Sequence, residues 1–459
     1  RLGCGDRIVD KGVVWNVGRV YRDETEIYSF NLLPEEGHKR PAFINLQQPY
    51  FEQFIVEEIR RQQGLGAPIE IRGKNCVTAM QQKADHVILD VDTPDGPYKI
   101  EADYLVACDG ASSPVRSIMG LEFEGRVFED NFLIADIKMA ADFPVERRFW
   151  FNPPFNRGET ALLHKQPDDV WRLDFQLGWD IDRKAELDPD RIRERVSAMI
   201  GADNDFDLVW TSIYTFRCCT MKDYRHGRVF FAGDSAHQVS PFGARGANGG
   251  MQDIDNLGWK LAAVIQDGAD DALLDSYHAE RKQAALENIK NSSRSADFLT
   301  PRNPAHSLFR DAVLDLVEHF DFARPMVNSG RLSMPCTYDG SPLNGSDNLP
   351  DGPARTRPGT PCSDAPIDGG FLLDRLSGSF AVLAINADVP LDIVVAGRAV
   401  DVIALSTDDK TRCILSSRYL GKAKQAVYLI RPDQHIVARW NRFEPAEIET
   451  ALGRALGQD

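Results

Sequence analysis

The chain has 459 residues, 43% of them hydrophobic and 27% charged, with a formal net charge of -16. That length allows two or three domains with their own cores, and the composition excludes extended disorder, collagen-like repeats and coiled coils. The negative balance disfavours nucleic acid and anionic membrane surfaces as partners, and no apolar run approaches the roughly 18 residues that span a bilayer.

The apolar residues Phe51, Phe54, Ile55 and Ile59 recur at three- and four-residue spacing and predict a helix over Pro49 to Gln63. His86 to Asp92 and Pro97 to Ile100 alternate around the turn Pro94-Asp95-Gly96, and Tyr104 to Cys108 reads as a buried strand. From about Asn131 to Tyr224 short β-branched and aromatic runs predict a mostly antiparallel sheet, broken by a helix near Asp188 to Ile200. Val229 to Ala232 is a further strand. After it Met251, Ile254, Leu257, Leu261 and Ile265 mark one helix face, and a second long helix covers Asp271 to Ser292.

Between Phe322 and Gly370 the composition turns to Pro, Gly, Ser and Asp, predicting a linker or a surface loop. Beyond it, strands are expected at Phe380 to Ile385, Ile393 to Val395, Val427 to Ile430 and Ile436 to Trp440, with a helix at Pro445 to Leu456. The cysteines Cys4, Cys76, Cys108, Cys218, Cys219, Cys336, Cys362 and Cys413 form no CxxC pair and no metal spacing. A reduced, cytoplasmic protein without a metal site is the expectation.

Two segments carry chemistry. The first is Gly233-Asp234-Ser235-Ala236-His237, continued by Pro241-Phe242-Gly243-Ala244-Arg245-Gly246-Ala247-Asn248-Gly249-Gly250. A strand delivers it, its glycines let backbone approach a planar ligand, and the helix start aims free N–H groups at negative charge. The second is Cys108-Asp109-Gly110-Ala111-Ser112-Ser113-Pro114-Val115-Arg116, also at a strand end.

Together these segments resemble the "GD" and "DG" motifs of the single-component FAD-dependent aromatic hydroxylases, of the phenol hydroxylase and 3-(3-hydroxyphenyl)propionate hydroxylase kind. The resemblance implies that Asp234, with Gly233, holds the ribityl chain. It puts Pro241 beside the reactive flavin edge as the catalytic position, with Gly243 and Arg245 in the same cofactor-binding loop, and turns the amides of Gly246, Ala247 and Asn248 toward the pyrimidine end of the ring. Asp109 and Gly110 would lie near the FAD pyrophosphate, with Arg116 a structural anchor, and Gln48 would contact the flavin. NAD(P)H would reduce FAD, O2 would add to it, and the flavin hydroperoxide would pass one oxygen to a small phenolic or other aromatic substrate. A homodimer is compatible with the family.

The implied fold is α/β. It comprises a glutathione-reductase-like FAD domain (1–120 and 226–320), an inserted antiparallel substrate domain (121–225), a linker (321–356) and a thioredoxin-like domain without CxxC (357–459). Arg1 to Asp6 resembles the stretch after the family's opening βαβ unit, and no GxGxxG occurs in the chain, so that first unit is expected to be lacking. Two rival readings remain open from the residues: a non-catalytic fragment acting through a partner, and a flavin dehydrogenase or oxidase on the same scaffold.

Other residues have plainer readings. His237 is expected to pack locally, Arg245 either adds charge near the flavin or faces solvent, and Tyr277, Glu280 and Arg281 form an internal polar network. Trp150, Phe151, Phe155, Tyr214 and Phe216 are core residues or line a substrate pocket.

Overall fold

The computed structural model describes residues 2–32, 35–140, 143–241, 243–301, 303–327, 334–376, 378–395, 398–407 and 413–458, with the side chains of 126–129 excepted. Arg1 and Phe242, both named above, lie outside the described residues.

After a short helix at Gly5–Lys11 comes a hairpin, β1 (Val17–Arg22) and β2 (Thr25–Asn31), followed by α1 (Gln48–Gly64). Pro49 lies in the first turn of α1, where the missing N–H leaves no helical bond unmade. β3 (Cys76–Gln82), β4 (Val87–Asp92) and β5 (Tyr98–Ala102) form an antiparallel meander, and Gly96 at φ +117° makes the turn between the last two. β6 (Leu105–Ala107) then enters the core.

A run of long strands follows: β7 (Phe123–Lys138), β8 (Arg147–Phe151), β9 (Thr160–Lys165) and β10 (Val170–Gly178). α2 (Pro189–Ile200) starts where the Asp188 carboxylate accepts from the Asp190 and Arg191 N–H groups and ends at Gly201 with φ +97°. β11 (Asp207–Met221), β12 (Val229–Phe231) and β13 (His237–Gln238) complete this part. The large sheet has the order β13-β11-β7-β10-β9-β8-β1-β2 and is antiparallel except where β8 runs parallel to β1. Here the structure corrects the division at residue 121. β1 and β2, from the segment assigned to the FAD domain, are bonded into the sheet assigned to the insert, because the exposed edge of β8 is satisfied by β1.

One face of that sheet, with Leu133, Ala135, Ile137, Leu163, Leu173 and Phe175, buries itself on Ile192, Val196 and Ile200 of α2. The other face meets two long helices, α3 (Gly246–Ile265) and α4 (Asp275–Leu299), through the second of them: Phe132 and Phe216 pack on Ala296, and Phe151 and Val20 on Phe298 and Leu299. α5 (Pro304–Val317) closes this side with Val313 and Leu314.

The inward face of α3 differs from the apolar stripe expected. Ile254 and Ile265 are exposed, at 41% and 54%, whereas Asp253, Asn256 and Lys260 are sealed. They are sealed because they have charged partners. Glu280 of α4 accepts from Lys260 Nζ at 2.8 Å, from Asn256 at 2.7 Å and from Arg431 at 2.6 Å, and Arg431 also pairs with Asp433. Burial lowers the Lys260 ammonium to a pKa of about 8 against the pull of Glu280.

Arg431 and Asp433 belong to the C-terminal unit. It contains β14 (Asp347–Asn348), β15 (Ala381–Ile385), β16 (Ile393–Val395), β17 (Arg398–Leu405), β18 (Ala426–Ile430), β19 (Ile436–Trp440) and α6 (Pro445–Ala455), in the mixed order β14-β19-β18-β15-β17-β16. The segment expected to be a linker is partly core. Cys336, Tyr338, Leu343 and Leu349 are buried, and Asp347–Asn348 is the edge strand of this sheet. Its Pro, Gly and Ser content marks irregular backbone, and irregular backbone can still be packed.

Removing one member of a buried ionic set strands the others, at a cost of about 3 to 5 kcal/mol. Glu280→Gln should therefore lower the unfolding free energy of the full chain by that order, measured by urea unfolding, whereas substitution of the exposed Ile254 by Ser should change it little.

Candidate functional site

β6 and β12 are parallel neighbours, pairing Leu105 with Val229 and Ala107 with Phe231. Their carboxyl ends release the Asp109-Gly110 turn and the Gly233-Asp234 turn side by side, the place where parallel sheets hold ligands. Cross-links keep the turns together. Ser235 Oγ donates to the Ala107 carbonyl at 2.6 Å, and the Ala232 N–H donates to the same oxygen at 3.1 Å. Buried Arg116 donates to the carbonyls of Ser235 at 3.0 Å and Ala111 at 2.7 Å, so it is the anchor between the two turns.

Behind the second turn stands Asp253 of α3. One carboxylate oxygen accepts from the Gly233 N–H at 2.9 Å and contacts His237 Nε2 at 2.7 Å; the other accepts from Arg281 Nε at 2.6 Å. Burial opposes the charge on Asp253, but His237 and Arg281 outweigh it and hold the pKa at about 2. His237 is thus a packed structural residue, and Tyr277 donates to the Phe231 carbonyl at 2.7 Å.

The faces turned away from this support are open. Asp234, Asp109, Pro241, Ala247 and Asn248 are exposed, and a Cβ added at Gly110 would meet nothing within 4 Å. Partial desolvation raises the Asp234 pKa, yet its carboxylate makes no hydrogen bond among the described residues. Gly233 and Gly250 approach so closely that a Cβ on Gly250 would lie 3.2 Å from the Gly233 Cα. Gly243, at φ +91°, turns the chain into α3, whose first N–H groups at Gly246, Ala247 and Asn248 have no acceptor within the helix. An unbonded carboxylate, glycine-lined backbone and an uncapped helix start fit a ligand with sugar hydroxyls and an electron-rich or anionic ring.

Two expected residues stand elsewhere. Arg245 neither faces solvent nor joins the open surface: it is 4% exposed and donates to Asn288 at 3.1 Å. Gln48 is exposed at the start of α1 and donates to Glu52 at 2.6 Å. Its neighbour Gln47 carries instead a sealed Oε1 with no donor among the described residues. Asp253 and Asn288 escaped the sequence reading because polar residues at helical spacing look like a solvent face. A cavity of about 160 Å³ lined by Gln252, Arg281, Tyr338, Gln434 and His435 lies on the C-terminal-unit side of α3 and α4 and is separate from the two turns.

This arrangement is that of a flavin- or dinucleotide-binding α/β protein. A family model described as FAD binding domain matches residues 1–292, and the chain belongs to that family. It is 33% identical over 278 residues to the 12-dehydrotetracycline 5-monooxygenase/anhydrotetracycline 6-monooxygenase of Streptomyces rimosus, covering 58% of this chain and 55% of that protein, so it spans about half the length of that relative. It is 27% identical over 476 residues to a 3-(3-hydroxy-phenyl)propionate/3-hydroxycinnamic acid hydroxylase of Mycolicibacterium smegmatis, covering 98% and 83%. It is 30% identical over 380 residues to a probable NADH-specific resorcinol 4-hydroxylase of Rhodococcus jostii, covering 81% and 68%. Its fold matches that of the flavin-dependent monooxygenase PieE, solved with FAD and substrate, with a TM-score of 0.79 at 20% identity over 100% of this chain and 90% of that one.

The depressed Asp253 pKa contributes stability that is complete above the unfolded value near 3.8 and is lost as pH falls through about 2. A shift of that size corresponds to about 2 kcal/mol. The stability gap between wild type and Asp253→Asn, from urea midpoints at a series of pH values, should be widest above pH ~4 and narrow toward pH ~2.

Proposed function

We propose that this chain carries the flavin- and substrate-binding parts of an FAD- and NAD(P)H-dependent monooxygenase that hydroxylates a phenolic or other aromatic substrate. The observation that carries the reading is the placement of the Asp109-Gly110 and Gly233-Asp234 turns side by side at the ends of two parallel strands, cross-linked by Arg116. The aromatic hydroxylases among its relatives support the choice of reaction.

In this reading Asp234 accepts from the ribityl hydroxyls of FAD, and Asp109 with Gly110 lies along the pyrophosphate. Asp109 also accepts from the Val115 N–H at 3.0 Å, which fixes its carboxylate at the mouth of the turn. The amides of Gly246, Ala247 and Asn248 offer fixed donors to the charge that a reduced flavin ring carries. Such preorganised donors act without reorganisation at the moment of reaction. Exposed Pro241 forms the wall beside the reacting edge. The bound flavin, reduced by NAD(P)H, supplies the activation of O2; the chain's own share is to position, to exclude water and to place charge.

The large sheet, on the side packed by α4, is the natural roof for a small aromatic substrate. Phe216 belongs to the contact with Ala296 and Phe151 to the one with Phe298, so both serve as packing, while Trp150 stacks on Tyr21 at 5.2 Å on the other face. We read the C-terminal unit as thioredoxin-like with a packing role, since Cys362 and Cys413 have no CxxC partner in the sequence.

Asp234→Ala should cut the FAD retained after gel filtration several-fold with the far-ultraviolet dichroism unchanged. Flavin content equal to wild type would contradict the role given to Asp234. Oxygenation is tested by mass-spectrometric detection of a hydroxylated phenol formed by the FAD-loaded full chain only when NADH or NADPH is added.

A further inference from the structure

The sheet face that packs on α4 carries polar groups that nothing in the cofactor cleft uses. In β7, β8, β9 and β10 alternate residues point to this face. Phe132, Phe151 and Val20 reach α4 there, and the same alternation places Ile134 and Asp136, Arg147 and Phe149, Leu162 and His164, and Arg172 and Asp174 on it. Its link to the cofactor cleft is short: Ser292 of α4 bonds Ser240, next to Pro241, and Ala296, one turn on, touches Phe132.

Two of these five polar groups satisfy each other. Arg172 is clamped by Asp136 in two hydrogen bonds of 2.7 and 2.8 Å. Three are not. Asp174 Oδ1 and His164 Nδ1 are sealed from solvent without a hydrogen-bond partner among the described residues. Arg147 makes no hydrogen bond or ion pair among the described residues; its one fixed contact is the Trp15 ring, 6.0 Å from the guanidinium carbon. Asp174 is the carboxylate that opposes the desolvation of Arg147, but the two do not pair. A sealed, unbonded carboxylate oxygen is expensive unless something bonds to it, and the half-buried Arg147 fork that faces the same space is left free to bind the same guest.

We propose that Arg147, Asp174 and His164 are the polar anchor of the aromatic-substrate pocket, with Arg147 receiving an anionic oxygen of the substrate and Asp174 accepting from its hydroxyl. The assignment rests on the hydroxylase reading above and extends it to a substrate class: a phenol carrying a second oxygen function. The guanidinium fork suits an anionic oxygen, which comes either from a carboxylate tail or from a second ring hydroxyl as phenolate. The remaining groups support this. Burial pushes the Asp174 carboxyl up to about 6, so it exchanges readily between accepting and donating near neutral pH, and burial with Arg147 and Arg172 nearby keeps His164 uncharged.

Three probes separate the sources of the anionic oxygen: 3-(3-hydroxyphenyl)propionate, 3-phenylpropionate and resorcinol, each titrated calorimetrically into the full chain with saturating FAD. Arg147→Met should weaken binding about tenfold or more. If the oxygen is a carboxylate, both propionates weaken and resorcinol does not; if it is a second ring oxygen, resorcinol weakens and the two propionates do not. Arg147→Lys should fall between, and Asp174→Asn should weaken the two phenols alone. Arg148→Met, on the opposite face and paired with Glu146 at 2.8 Å, is the control and should bind as wild type.

Variants that keep wild-type dichroism and melting temperature yet bind all three probes as wild type overturn the anchor, as does equal weakening by Arg148→Met. If the wild type oxygenates a phenol while Arg147→Met binds unchanged, the anchor falls and the hydroxylase reading stands. If the FAD-loaded wild type oxygenates none of the phenols, that reading falls and takes the anchor with it.

Discussion

A glycine turn can lie open beside a ligand only if something rigid holds it from behind, and here that support is the Asp253 carboxylate. It is fully buried, and it bonds at once to the Gly233 N–H, His237 and Arg281. Each partner comes from a different piece of backbone: the strand-end turn, the short strand β13 and the long helix α4. Because an unpaired buried carboxylate is costly, the three must arrive together, and their arrival sets the distance between α3 and the end of β12. Arg281 passes the constraint on, to the Gly249 carbonyl and to the hydroxyl of Tyr338.

A second ionic set lies along the same two helices and fastens them to the C-terminal unit through Glu280, Lys260, Arg431 and Asp433. Its charges balance, two positive and two negative, which is why four ionised side chains can sit in one interior. The cofactor cleft and the C-terminal unit therefore use opposite sides of one helix pair. The proposed substrate roof uses the far end of α4, where Ala296 and Phe298 meet the large sheet. One helix thus touches the pieces that a monooxygenase must keep in register.

Much of this was legible in the residues. The turn at Pro94-Asp95-Gly96, the strands ending in Asp109 and Gly233 and the helix after Arg245 follow from alternation, glycine placement and periodicity. The two motifs read together implied the adjacency that the parallel pair β6 and β12 supplies. What stayed hidden has a common cause. Asp253, Asn256 and Lys260 are polar at helical spacing, which mimics a wet face, so the apolar Ile254 and Ile265 pass for the buried one. Arg147, His164 and Asp174 come from three strands, and only the register makes them neighbours. The crossing of β1 into the large sheet is a long-range pairing that local pattern does not record.

The central claim is that the Asp109-Gly110 turn, the Gly233-Asp234 turn and the start of α3 are three walls of one flavin cleft. Hydrogen exchange of the full chain, followed by mass spectrometry with and without FAD, tests it most directly. The account predicts that FAD slows exchange together in the segments 108–113, 233–236 and 246–250. Saturating FAD that leaves these three segments unchanged, or that protects only one of them, would contradict it.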